Sequence, residues 1–178
     1  MTELVLVRYD GQEPPSLKRT DAASAAALFK VLQGGPGTYI AVYETENVEA
    51  VEAAVAGNGG TPERYREIFA APDARPISES NRHVFAIRIA LAPDIDLDAF
   101  NEWYNGTHVP EVAPAGLQRG RRFESELPEL PYMAIYDMAA RDTLESEALA
   151  RVRGFAQFTP QVPTLERTVL ERIDPPAD

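Results

Sequence analysis

One short pattern occurs twice in the chain: TYIAVYE at 38–44 and PYMAIYD at 131–137 match at both Tyr, at the Ala and at the closing acid. Each copy alternates as a strand does. Each is followed by a helical stretch, 47–57 with Asn47 as its cap and Gly57 as its stop, and 141–152. A repeated strand–helix unit restricts the chain to folds made of two related halves.

The second half is set at 82–174 and reads β-α-β-β-α-β: strand 83–91, helix from 96, strands 117–125 and 131–137, helix 141–152, strand 164–173. DPPAD at 174–178 reads as a frayed tail. The first half, 1–75, opens with a strand at 4–9. An Ala-rich stretch at 20–35 follows, in which Ala22, Ala25, Ala26, Phe29 and Leu32 fall near helical spacing and Gly34-Gly35 supply a stop. The repeated strand, the helix at 47–57 and a further helix at 61–71, opened by Thr61-Pro62, complete it. The Pro-, Ser- and charge-rich 71–82 is the connection. A second register stays open, in which RYDG at 8–11 matches RRFES at 121–125 and the first copy lacks its opening strand and helix. The expected fold is α+β: two ferredoxin-like halves, the first eroded, packed as an α/β barrel with helices outside and a closed or nearly closed space between the sheets. If both halves supply full sheets, the barrel closes within one chain and a monomer suffices; otherwise a homodimer follows.

The 178 residues carry a formal net charge of −11, which disfavours nucleic acid and anionic membranes as partners. No run of ~18 apolar residues spans a bilayer, and the opening MTELVLVRYDG has no basic, then apolar leader. With no Cys and only two His, thiolate chemistry is excluded and a transition-metal site is not expected. The lack of Cys fits a cytoplasmic location.

The chemistry concentrates in DLDAFNEWYNGTHVPEV, 96–112, which holds the only Trp. From Phe100, Trp103 is i+3, Tyr104 i+4, Thr107 i+7 and His108 i+8, one helical face with Leu97 a turn earlier. Asn101, Glu102 and Asn105 fall opposite, and Val109-Pro110 bends the chain just after His108. An imidazole so placed is largely removed from water, and Tyr104 is one turn away, so both polar tips can meet one ligand. The alternative is a structural His that caps a helix end. Asn105-Gly106 is itself a turn signal; a helix ending there would take His108 off the stripe.

FNEWYNGTHVPEV…GLQRGRRFE…PYMAIYD resembles the dimeric α/β-barrel superfamily, and within it EthD-like proteins, over about 82–173. The resemblance implies two sheets that enclose a cleft, with His108 facing it. It also implies the chemistry of cofactor-free monooxygenases, cyclases, isomerases, lyases or haem enzymes, several of which work with one His and one Tyr. Relatives often carry an acid where this chain has Asn105, and its loss would leave His108 less basic and less well oriented.

Elsewhere, Arg88 sits mid-strand among apolar residues and is a candidate for binding a carboxylate or phenolate. Alternation puts Arg119, Arg121 and Phe123 on one face and Arg122 on the other, all three Arg expected in ion pairs. Tyr39, Tyr43, Tyr132 and Tyr136 share one parity; Tyr132 or Tyr136 is a candidate oxyanion donor. His83, at a strand end, reads as a surface residue. The expectation is a cofactor-independent cyclase, isomerase or lyase on a hydrophobic oxygenated small molecule such as a phenol or polyketide. His108 is its base, Tyr104 its catalytic partner, and Trp103, Phe100, Arg88, Tyr132 and Tyr136 its substrate contacts, with no metal and no cofactor. The alternatives are a non-catalytic binding or stress protein and a cofactor-free monooxygenase. A cavity of ~300 Å³ or more beside His108 separates ligand handling from a filled core.

Overall fold

The computed structural model describes residues 2–57 and 59–173. The first residue, the expected tail 174–178, and with it the last residue of the 82–174 half, lie outside the described residues. Eight antiparallel strands close into one barrel in the order β1-β3-β2-β8-β5-β7-β6-β4. They are β1 Glu3–Tyr9, β2 Ala23–Gln33, β3 Tyr39–Thr45, β4 Thr61–Ala70, β5 His83–Ala90, β6 Leu117–Glu124, β7 Tyr132–Met138 and β8 Thr164–Ile173. Within residues 1–75 the strands lie fourth-first-third-second across the sheet; within 82–173 they lie in the same order. The repeat therefore maps β3 on β7, and the registers agree. Arg8 stands opposite Ile40 and Arg88 opposite Met133, while Leu4 faces Glu44 and Val84 faces Asp137. The opening strand is present in the first half and its helix is not, which decides between the two registers.

Two expected helices are strands. The Ala-rich 20–35 is β2, clamped between β3 and β8. Its Ala27 and Phe29 point into the barrel and Leu28 points out. Ala favours a helix by only ~0.5–1 kcal/mol per residue over strand formers, and two flanking ladders override that. The expected helix at 61–71 is β4. Its Pro62 pairs with β1 alone, because β6 joins only from Arg66 onward, so the missing N–H faces no neighbour.

Helices cover the outside. α1 Val48–Val55 is capped by Asn47, whose Oδ1 accepts from the Ala50 N–H at 3.0 Å. α2 Leu97–Trp103 is capped by Asp96 on the Ala99 N–H at 3.0 Å. It runs on through a π-turn, Tyr104–His108, into α3 Val109–Val112. The helix thus neither stops at Asn105-Gly106 nor ends at Pro110. Pro110 offers no N–H to the preceding turn and its ring crowds the carbonyl there; the wide turn, in which the Val109 N–H reaches the Tyr104 carbonyl, takes up that mismatch. α4 Glu147–Val152 is capped by Ser146. None of the helices among the described residues is long and apolar enough to cross a membrane.

The barrel interior is filled rather than open. Leu4, Leu6, Phe29, Ile40, Phe123 and Met133 pack across it, and ion pairs close it. Toward one end Glu63 takes both Arg8 (2.8 Å) and Arg88 (3.3 Å), and Arg88 also holds Glu166 at 2.8 Å. Toward the other, Arg121 pairs with Glu44 (2.5 Å) and Glu67 (2.7 Å), and Arg119 with Asp137 (2.9 Å). The space expected between the sheets is therefore plugged.

Candidate active site

The free space around His108 lies on the outer face of the sheet, under the helices, and not inside the barrel. β5, β7 and β8 form its floor with Phe85, Ile87, Tyr136 and Arg167, and the helix supplies Tyr104, His108 and Val112. The turn after α4 adds Arg153, Gly154 and Phe155. The cavity measures about 110 Å³, below the ~300 Å³ of an ordinary ligand site and somewhat below the ~150 Å³ of an apolar cavity that holds a benzene, so at most one small ring enters it.

The π-turn is what aims two side chains at this space. Tyr104 and His108 bracket it, their rings edge-to-face at 4.9 Å between centroids. Trp103 stacks on the other side of His108 at 5.1 Å and fixes the imidazole plane. His108 is 8% exposed, and its Nδ1 is shut off from solvent with no hydrogen-bond partner among the described residues. Such a group costs roughly 1–3 kcal/mol unless something satisfies it. Burial, and then the charge of Arg122, push the imidazole down to about 4, so it is neutral at pH 7.

Tyr136, from the repeated strand, donates its hydroxyl to the Tyr104 hydroxyl at 3.2 Å. Burial keeps both phenols protonated: Tyr136 is raised well above its ordinary value, with the neighbouring Tyr104 adding to the effect. Tyr104 is also raised by burial, while the Tyr136 hydrogen bond and the Arg122 charge work against the rise. Tyr104 accepts from Tyr136 and so keeps its own proton to donate into the cavity.

Arg122 lies on the face opposite Arg119 and Arg121, as alternation places it, but the ion pair expected of it is missing among the described residues. It is 2% exposed. Its guanidinium donates to Asn105 Oδ1 at 2.7 Å and Asn101 Oδ1 at 2.9 Å, and lies 4.1 Å from the centre of the Tyr104 ring. Asn101 and Asn105, expected on the solvent side, are thus turned onto the sheet, whereas Leu97 and Thr107, expected on the buried stripe, are exposed. Asn105 makes no hydrogen bond to His108 among the described residues; it accepts from Arg122, whose charge, after burial, lowers His108.

Of the other candidates, Phe100 is fully buried beneath the site, edge-on to Phe158 at 5.3 Å, and lies outside the cavity lining. Tyr132 lies on the same outer face without reaching the cavity. Arg88 points into the barrel and is held by Glu63 and Glu166 there, so it is not part of this site. Tyr39 donates to the Gln12 carbonyl at 3.2 Å, and His83 is half-buried at the start of β5. No cluster of three or more metal-binding side chains occurs among the described residues. A haem does not fit: the cavity is too small, and His108 lacks the second hydrogen bond that orients an axial imidazole.

No protein-family model matches the sequence, and no curated protein matches it. Among solved structures, a candidate chlorite dismutase shares the fold with a TM-score of 0.60 at 11% identity, covering 97% of this chain and 95% of that one. A candidate monooxygenase from Fusobacterium nucleatum subsp. nucleatum gives 0.58 at 8% identity, covering 97% and 93%. An anthrone oxidase-like protein gives 0.50 at 10% identity, covering 97% and 91%. The shared feature is the α+β barrel.

Proposed function

We propose that the chain is a cofactor-independent enzyme of cyclase, isomerase or lyase type that removes an acidic proton from a small oxygenated ring compound. The observation that carries this is the meeting, in one ring-lined cavity, of a neutral imidazole with an unsatisfied nitrogen and a tyrosine pair with a proton to give. His108 takes the proton. The oxygen that gains charge accepts from Tyr104, which Tyr136 supports, with Arg122 beneath the ring. The low basicity of His108 limits the substrate. A phenol near ~10 lies about 6 units above His108, a gap of about 8 kcal/mol. Only an already acidic proton, such as that of a 1,3-dicarbonyl or its enol, or a tight imidazolium–anion pair, brings that within reach.

The likeness to EthD-like proteins and the division into two ferredoxin-like halves are part of this reading, supported by the 100–123 residues and the matching strand orders. The barrel closes within one chain, so the proposed site needs no second copy. The neighbours named for monooxygenase and anthrone oxidase activities favour a second reading, in which the deprotonated substrate meets dioxygen without a cofactor. The small cavity favours a third, a non-catalytic binding protein. Turnover of His108→Gln, measured beside wild type on a panel of 1,3-dicarbonyls, phenols and anthrone-type compounds with and without oxygen, tests all three. Loss of at least a hundredfold in kcat at saturating substrate, beyond any weakening of binding, supports the base. Full turnover in the variant overturns it, and binding without turnover in wild type leaves the binding protein.

A further inference from the structure

Most arginines of this acidic chain are held by carboxylates. Arg19, Arg141, Arg153 and Arg167 make no ion pair or hydrogen bond among the described residues, and two of these four line the His108 cavity. They come from different elements. Arg167 projects from the outer face of β8 opposite Ile87, between inward-facing Glu166 and Thr168. Arg153 follows α4 and is turned at Gly154, whose φ of +107° places Phe155 in the cavity wall and leaves the guanidinium at the rim. Both arginines are exposed, whereas Tyr104, His108, Tyr136 and Phe155 are buried, so the cavity is apolar and ring-lined within and cationic at its mouth. A surface of net charge −11 repels anions in general. Two unpaired guanidinium groups at one opening make that opening the exception, and a guanidinium offers paired donors that match a carboxylate.

We propose that the ligand of this cavity is a single-ring carboxylate, its ring against Tyr104 and His108 and its carboxylate between Arg153 and Arg167. The proposal rests on the reading of the cavity as a ligand site and narrows it. The interior, about 110 Å³, has room for at most one small ring. The carboxylate stays at the rim, where it keeps part of its hydration and avoids the full cost of burying a charge. A ring oxygen para to the carboxylate then points at the Tyr104 hydroxyl.

The test uses the fluorescence of Trp103, the only Trp and the residue stacked on His108, with the melting temperature followed in parallel. Wild type, the double variant Arg153→Gln/Arg167→Gln, and His108→Gln are titrated with 4-hydroxybenzoate and with its neutral analogue 4-(hydroxymethyl)phenol. Wild type should bind the carboxylate at least about tenfold tighter, and salt should erode that advantage. The double variant should bind both compounds equally, at the affinity of the neutral one. His108→Gln should weaken both. Equal affinity in wild type, or a preference that survives in the double variant, overturns the carboxylate while leaving the cavity as the ligand site. Carboxylate binding that ignores His108→Gln places the anion on the surface and overturns both, as does the absence of any binding.

Discussion

The two halves of the barrel carry the same strands and do opposite things with their outer faces. In the first, Tyr43 looks out from β3 and is sealed under α1 and Leu17. Its hydroxyl is shut off from solvent with no well-formed hydrogen bond, the Lys18 backbone and Tyr9 being its polar neighbours, and burial pushes it up to about 12. In the second, the matching Tyr136 meets Tyr104 and a cavity. Opposite Tyr43 stands Ala26; opposite Tyr136 the ladder bulges at Arg119–Gly120. Leu28 pairs with Ala41 where Arg122 pairs with Ala134. The first half spans 10–22 with a loop where the second spans 91–116 with the helix that brings His108. A shared framework is therefore either plain packing or a site, depending on one inserted helix and two differences at its floor.

The comparison breaks most visibly at Gly120. A Cβ there would lie 2.8 Å from the Tyr136 ring and 3.0 Å from Val109, so the helix sits directly on this glycine. Gly120→Val is expected to cost about 3 kcal/mol in urea unfolding and to change Trp103 emission, while Ala26→Val in the first half costs under about 1 kcal/mol. Acid comes next. Unfolded, His108 takes a proton near 6.5; folded, it resists until about 4. As pH falls between those values only the unfolded state gains the proton, so wild type loses up to about 3 kcal/mol of stability, and His108→Gln lacks that component. Above pH 6.5 the difference vanishes.

Arg122→Leu makes the second half resemble the first at Leu28. It removes a buried cation that no carboxylate balances, so stability should hold or rise by about 1–2 kcal/mol. Nuclear magnetic resonance titration should show the His108 pKa moving upward, though not fully to 6.5, since burial remains. Asn105→Asp should move it the same way by balancing the charge. An unmoved His108 in both variants would separate it from Arg122. The smallest effect is the paired deletion of hydroxyls: Tyr136→Phe should cost about 1 kcal/mol and Tyr43→Phe close to nothing.

What the sequence made legible is uneven for physical reasons. The repeated strand, both end strands of the second half and the cap Asn47 carry short-range signals, and each appears where expected. β2 is written largely in alanine, which marks neither period, and Thr61-Pro62-Glu63 imitates a helix start, so both strands depend on neighbours far away in the chain. In the site, the spacing of Tyr104 and His108 survives because a π-turn still stacks the two on one side. The turn itself left no signal distinct from a helix end at Asn105-Gly106. Arg122 was discoverable by the argument applied to Arg88, a lone cation amid apolar strand residues. Arg153 and Arg167 become meaningful only once α4 and β8 share a rim.

The seam between β2 and β8 has a consequence in time. β8 is the last of the eight strands to be made, yet it must insert between β2, some 140 residues earlier, and β5. Until then both strands present open edges, and an open edge pairs with whatever strand is near. Emergence from the ribosome therefore ends, rather than accompanies, assembly of the barrel, and the long separation predicts slow closure. A chain cut before residue 164 keeps every element of the His108 helix and still leaves two strands seeking a partner, so loss of the final fifteen residues, β8 among them, should yield aggregates and not a smaller folded protein.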